Sequence, residues 1–201
     1  METISINELI KDRFTYPSWT TGSIYPLQTQ TVNDKMVMVY YEITTKKAHF
    51  KRRVQEQFRK TIVLTPGLCW AIGFFKGEGV NSIINGSYRR FSIVNKNPEK
   101  IKRFLQIMVL SGLLVKERID GKCFQIHHFK KPTKDVIEYW SNALNFPKER
   151  FSAVAYGHDL HKSENGVCRF DIGHVLLRRI VELLNEHIMD HDSGEWTSIG
   201  F

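Results

Sequence analysis

Apolar residues recur along this chain with two periods, and the places where one gives way to the other mark its elements. In Leu64–Gly79, Leu68, Ile72 and Phe75 lie at helical spacing, and Trp70, Ala71 and Phe74 make the other faces nearly as apolar. Such a helix is expected to be buried on all sides. Thr65 suits its N-cap and Pro66 its first position. Ile101, Phe104, Leu105, Met108 and Val109 form a second helical stripe, starting after Asn97-Pro98 and ending near Gly112. Val136, Ile137, Trp140 and Leu144 form a third, over Thr133–Leu144. Between these helices the period falls to two. Val80–Ile84 and Tyr88–Val94 flank Asn85-Gly86, while Leu113–Ile119 and Lys122–Phe129 flank Asp120-Gly121. Both dipeptides favour tight hairpin turns. The predicted order is therefore helix, hairpin, helix, hairpin, helix.

The segments on either side are less regular. Ile4–Phe14 fits one short helix, Tyr16–Asp34 reads as loop or extended chain, and Met36–Ile43 as a strand. Thr44–Lys60 reads as a helix, because Phe50, Val54 and Phe58 repeat every four residues. Its basic residues, Lys51 and Arg52 among them, are opposed only by Glu56. Beyond Leu144, Gly166–Ile172 reads as a strand. Val175–Ile188 reads as a helix with Leu176, Ile180, Leu183 and Leu184 inward and Arg178 and Arg179 exposed. The chain thus divides into an N-terminal extension (1–63), a central domain with its strand-helix continuation (64–188) and a C-terminal tail (189–201).

Composition narrows the functional classes. The 201 residues carry a formal net charge of +8, which favours a polyanionic partner such as nucleic acid. The alternative is a merely solvated positive surface. Cys69, Cys123 and Cys168 are widely spaced and odd in number, which fits reduced thiols in a cytoplasmic protein and not a disulfide framework. No apolar run approaches the ~18 residues of a membrane span, and no secretory signal opens the chain. There is no Gly-rich phosphate loop and no GxSxG elbow, so nucleotide hydrolysis and serine esterase chemistry find no support. His158, His161 and Cys168 match no zinc spacing, and His127 and His128 fall on opposite faces of a strand.

Within the first helix, Gly73 and Gly77 lie four residues apart on one face, where a second backbone could approach closely. Glycine costs a helix about 1 kcal/mol against alanine, so two of them suggest a packing reason. Glu78 at the C-terminal end faces the negative pole of the helix dipole, an arrangement that a bound cation would reverse.

Ala71–Gly79, AIGFFKGEG, resembles the signature of the LAGLIDADG homing endonucleases, degenerate forms of which end in GEG. The order of helices and hairpins, read independently of that motif, is also that of the family's half-domain. The resemblance covers roughly Leu64–Leu144 and continues weakly to Ile188. It implies an α+β fold, αββαββα, with a curved antiparallel sheet and helices on one face. It implies that two signature helices pack together, with Gly73, Gly77 and Trp70 at the interface, so that a single-motif chain acts as a homodimer. It also implies that the acid before the last glycine, Glu78, holds Mg2+ or Mn2+ beside the scissile phosphate, with Gly77 next to it. Asn95 falls where relatives carry a water-ordering Gln or Asn. Lys131, or its neighbour Lys130, falls where they carry an active-site lysine. Lys76 stands where the family often has Asp, a departure that spares the metal-binding acid.

The expected activity is metal-dependent, site-specific cleavage of double-stranded DNA by an enzyme of an intron or intein. The sheet would read base edges in the major groove through Arg90, Ser92, Lys116, Arg118, Gln125 and His127. Lys51 and Arg52 would contact phosphates. A non-cleaving DNA-binding regulator and an RNA maturase are the rival expectations on the same scaffold.

Overall fold

The computed structural model describes residues 1–11, 16–18, 23–45, 50–79, 90–116, 119, 121–128, 134–156 and 163–191. The fold is α+β: among the described residues five α-helices accompany several mostly antiparallel sheets.

The N-terminal extension is mainly strand. β1 (Thr3–Ser5) leads directly into α1 (Ile6–Lys11), so only part of the helix expected over Ile4–Phe14 forms. The short strands β2 (Tyr16–Ser18) and β3 (Ser23–Tyr25) pair with each other. β4 (Gln28–Thr31), β5 (Met36–Thr45) and β6 (Phe50–Arg59) form a three-stranded antiparallel sheet with β5 in the centre. β7 (Thr61–Val63) returns to pair with β1.

β6 overturns the helix expected over Thr44–Lys60. A repeat of four is also two strand periods, and the burial follows the strand: Glu56 and Phe58 are buried, whereas Arg53, Gln55 and Arg59 are exposed. β5 alternates in the same way, with Val37, Val39 and Tyr41 inward, and its long edge is satisfied by ten register pairs with β6. Lys51 and Arg52 consequently fall at adjacent positions of a strand, opposite Thr44 and Ile43, and not on a basic helix.

The rest of the chain builds a four-stranded sheet covered by helices. α2 (Pro66–Glu78) is capped at Thr65, whose hydroxyl accepts the Leu68 N–H at 3.1 Å. β8 (Phe91–Asn95) follows, then α3 (Pro98–Leu110), β9 (Phe124–His128), α4 (Lys134–Leu144), β10 (Phe151–Tyr156), β11 (Val167–Ile172) and α5 (Val175–His191). The strand order is β10-β9-β11-β8. β11 runs antiparallel to both neighbours, and β10 runs parallel to β9. The sheet is therefore mixed and not purely antiparallel.

The first hairpin's outgoing strand and its Asn-Gly turn lie outside the described residues. Its return is β8, and Gly79 bridges to Ile93. In the second hairpin, Lys122–Phe129 does supply β9, but the described part of Leu113–Ile119 forms no strand. Gly112 takes a φ of +74°, and the Leu114 N–H donates to the Met108 carbonyl. Leu113 and Leu114 therefore fold back and bury against the end of α3. The strand-helix segment read as an appendage is central instead. β11 occupies the middle of the sheet, and α5 contributes Leu176, Leu177, Ile180, Leu183 and Leu184 to the core.

The buried side chains form one cluster running from Ile4 to Leu184, so residues 1–63 share a core with the remainder. Buried Glu56 of β6 meets His174 at 3.1 Å, and Glu2 meets His187 at 2.8 Å. α2 is not buried all round. Leu68, Ala71, Ile72 and Phe75 face the core, while Gly73, Lys76, Gly77 and Glu78 are exposed. Removing the α2 cap with Thr65→Ala is expected to cost about 1 kcal/mol. For a chain of this size that is a fall in melting temperature of about 2–4 °C, measured by circular dichroism.

Candidate functional site

α2 ends against the start of α3. Gly79 leaves the helix in an extended conformation, and its N–H donates to the Phe75 carbonyl at 2.8 Å. A side chain at Gly79 would collide with that same carbonyl, so glycine fits this exit. The bridge to Ile93 then holds the exit beside β8.

Across the gap, the Asn95 carboxamide oxygen accepts the Asn97 N–H at 2.8 Å. Asn97 in turn caps α3 through the N–H groups of Glu99 (2.9 Å) and Lys100 (3.3 Å). The result is an open cleft of about 430 Å³ lined by Gly77, Glu78, Gly79, Val94, Asn95, Lys96, Asn97, Lys100 and Val167.

Two of the expected catalytic residues, Glu78 and Asn95, therefore line one cleft. The third, Lys131, and its neighbour Lys130 lie outside the described residues. Lys96 and Lys100 were not anticipated. Their signal was present in Asn95-Lys96-Asn97-Pro98: a helix start flanked by lysines is an anion site in the making. The cleft thus joins the carboxylate-bearing, negative end of α2 to the positive end of α3.

The donor set fits a hard cation. Glu78 offers a carboxylate, and Gly77 lies in the last helical turn, whose carbonyls have no intrahelical partner. Magnesium and manganese accept such oxygen ligands and keep water in their remaining positions. Among the described residues no three His, Cys, Asp or Glu side chains gather into a cluster, so one chain offers one carboxylate here. Cys168, the cysteine of the zinc alternative, is buried in the core. Burial, with Cys123 adding to it, pushes its thiol far up, which leaves it protonated. His158 and His161 lie outside the described residues.

The glycines expected at a helix-helix contact lie on the exposed side of α2. No atom lies within 4 Å of where a Cβ would sit on Gly73 or Gly77. Trp70 is half-buried, stacked on Phe74 at 5.1 Å, with the Arg103 guanidinium 4.3 Å from its ring centre.

The sheet face opposite the core gathers part of the expected base-reading set. Register places Val94, Arg169 and Gln125 in line across β8, β11 and β9, with Ser92 opposite Asp171 and His127 on the same face. Ser92 is not exposed. It is buried and accepts the Arg169 Nε–H at 3.0 Å. Asp171, buried in the same face, holds Arg169 at 2.8 Å and Arg90 at 3.1 Å. These contacts are ionic, because neither Asp171 oxygen meets hydrogen-bond geometry. Lys116 is exposed but stands off the sheet, and Arg118 lies outside the described residues. Arg178, expected to be exposed, is buried: its Nε–H donates to Glu182 at 2.9 Å.

Arg169 is the residue that sequence reading missed. The alternation in Cys168-Arg169-Phe170-Asp171-Ile172 marks it as outward-facing. Its importance appears only once β11 is known to lie mid-sheet.

No model of a known protein family matches the sequence, and no curated protein matches it significantly.

His127 is half-buried, and its Nε2 is buried without a hydrogen-bond partner. Burial first, and then the Arg169 charge, hold its pKa below the ordinary 6.5. Below pH 6.5 the unfolded chain takes up a proton that the folded chain refuses, so stability falls as acid is added until the folded pKa is passed. His127→Gln should lose less melting temperature than wild type between pH 7 and pH 5. Equal losses would place His127 outside the acid response.

Proposed function

We propose that this chain is a metal-dependent, site-specific double-stranded DNA endonuclease of the LAGLIDADG type, acting as a homodimer through its α2 helices. The observation that carries this reading is the cleft at the end of α2, where Glu78 and Asn95 stand together opposite the α3 N-terminus. Phosphodiester hydrolysis needs a cation on one side of a phosphate and positive potential on the other.

A bound Mg2+ or Mn2+ would neutralise charge on the phosphate and promote water as the nucleophile. Glu78 would hold that ion, with the Gly77 carbonyl beside it. Lys96 and Lys100 would bind the anionic backbone, with the positive end of the α3 dipole behind them. Asn95 would order water next to it. The exposed glycine side of α2 supports a symmetric pairing that brings two copies of Glu78 together. The arginines gathered on the sheet face, with a net charge of +8, support DNA as the partner.

Glu78 separates cutting from binding. Glu78→Gln keeps shape and removes charge, so cleavage of a selected duplex should fall at least about 100-fold, because metal stabilisation of transition-state charge is worth several kcal/mol. Duplex affinity should be unchanged or slightly higher, and melting temperature unchanged without metal. A wild type that binds duplex tightly and cuts nothing in magnesium or manganese would instead support a non-cleaving regulator.

Gly77 tests the pairing. The space beside Gly77 is open within one chain, so Gly77→Leu should leave the monomer folded while separating two helix backbones. Dimer dissociation, followed by sedimentation, should become at least tenfold easier. A wild type that sediments as a monomer at micromolar concentration, with and without DNA, sinks the homodimer.

A further inference from the structure

The outward face of the β4-β5-β6 sheet has no part in the cleft or in the face around Arg169. Register and burial settle which side chains it presents. β6 turns Arg53, Gln55, Gln57 and Arg59 outward, while its alternate residues Glu56 and Phe58 are buried. Gln57 lies opposite Met38 and Gln55 opposite Tyr40, and β4 adds Gln28 and Gln30 in the same rows.

This composition is unusual for a merely solvated face. It holds planar amides and guanidinium groups, and among the described residues its one acid is Glu42, opposite Arg53. Two of its members are held in place. The Arg53 guanidinium lies 3.5 Å from the centre of the Tyr40 ring, and Arg59 runs alongside Gly112, where any side chain would collide with its stem. The first contact flattens a guanidinium against the sheet and leaves its N–H edge available.

The dimensions match a nucleic-acid duplex. Ten-residue strands span about 33 Å, close to one turn of B-DNA. Alternate residues of one strand stand about 6.8 Å apart, two base-pair steps. The major groove admits a β-ribbon, and the side chains that read it bidentately are arginine, for guanine, and glutamine, for adenine.

We propose that the row Arg53, Gln55, Gln57 and Arg59 is a second sequence-reading surface, which lies in the major groove of double-stranded DNA. It takes from the endonuclease reading only the duplex as ligand. It makes the N-terminal sheet a specificity element and not just a support. Arginine and glutamine give base contacts, and the charge balance of the face favours the polyanion.

The experiment selects duplexes from a pool with a randomised 40-bp core, in EDTA, using wild type and Arg53→Ala/Gln55→Ala/Gln57→Ala. These three residues are outside the core, so the variant should melt with wild type. The wild-type selected motif should contain positions that the variant no longer specifies, and the variant should bind the wild-type duplex about 100-fold more weakly. Heparin affinity should change far less, because base reading is not simple charge attraction. An identical motif with unchanged affinity overturns the proposal. So does equal loss on heparin, or a wild type that selects no duplex. Cleavage is not read in this assay, so an enzyme that never cuts sinks the endonuclease reading alone.

Discussion

Whatever Glu78 does depends on a stack of aromatic rings. Phe75, one helical turn before it, lies parallel to Phe91 at 4.6 Å, and Phe91 stacks on Phe104 at 5.9 Å. Phe74 reaches Phe104 from the other side of α2 at 5.6 Å. These contacts join α2, β8 and α3 through fully apolar surfaces, whose burial is worth a few kcal/mol per ring. Because β8 carries Asn95 and α3 carries Lys100, the same stack sets how the three sides of the cleft face one another. An opening of this kind between elements is stable only if each of them is anchored behind it.

Buried charge follows a similar logic on the other side of the sheet. Asp171 would be costly in a buried position without compensation. Two arginines approach it, one from its own strand and one from the residue preceding β8. The pairing ties outward-facing side chains together, so Arg169 is presented in a fixed position instead of as a mobile cation. It also explains why Ser92, expected as a base reader, is instead a support for Arg169.

Much of this was legible along the chain. The helices over Pro66–Glu78, Pro98–Leu110 and Lys134–Leu144 announce themselves through proline or threonine starts and unbroken apolar stripes. What was not legible is instructive. Phe50, Val54 and Phe58 satisfy a helix and a strand equally, and only the need of β5 for a partner decides between them. The run around Leu113 carries a strand-like alternation, yet its leucines serve to close the end of α3. The placement of β11 is a long-range fact that no local period encodes. Without it Arg169 is one more basic residue.

The central position of β11 has a consequence for how the chain acquires its structure. β8 and β9 are parallel to one another and share no hydrogen bonds, because β11 separates them. On the ribosome, both are made and then wait for a strand encoded some 40 residues after β9 and more than 70 after β8. Their edges stay unpaired for that time. Such non-local closure is slow, and waiting edges are open to wrong partners. Assembly of this sheet is therefore an event of late synthesis. The phenylalanines of α2, β8 and α3 are all made before β11, and the face around Arg169 is completed last.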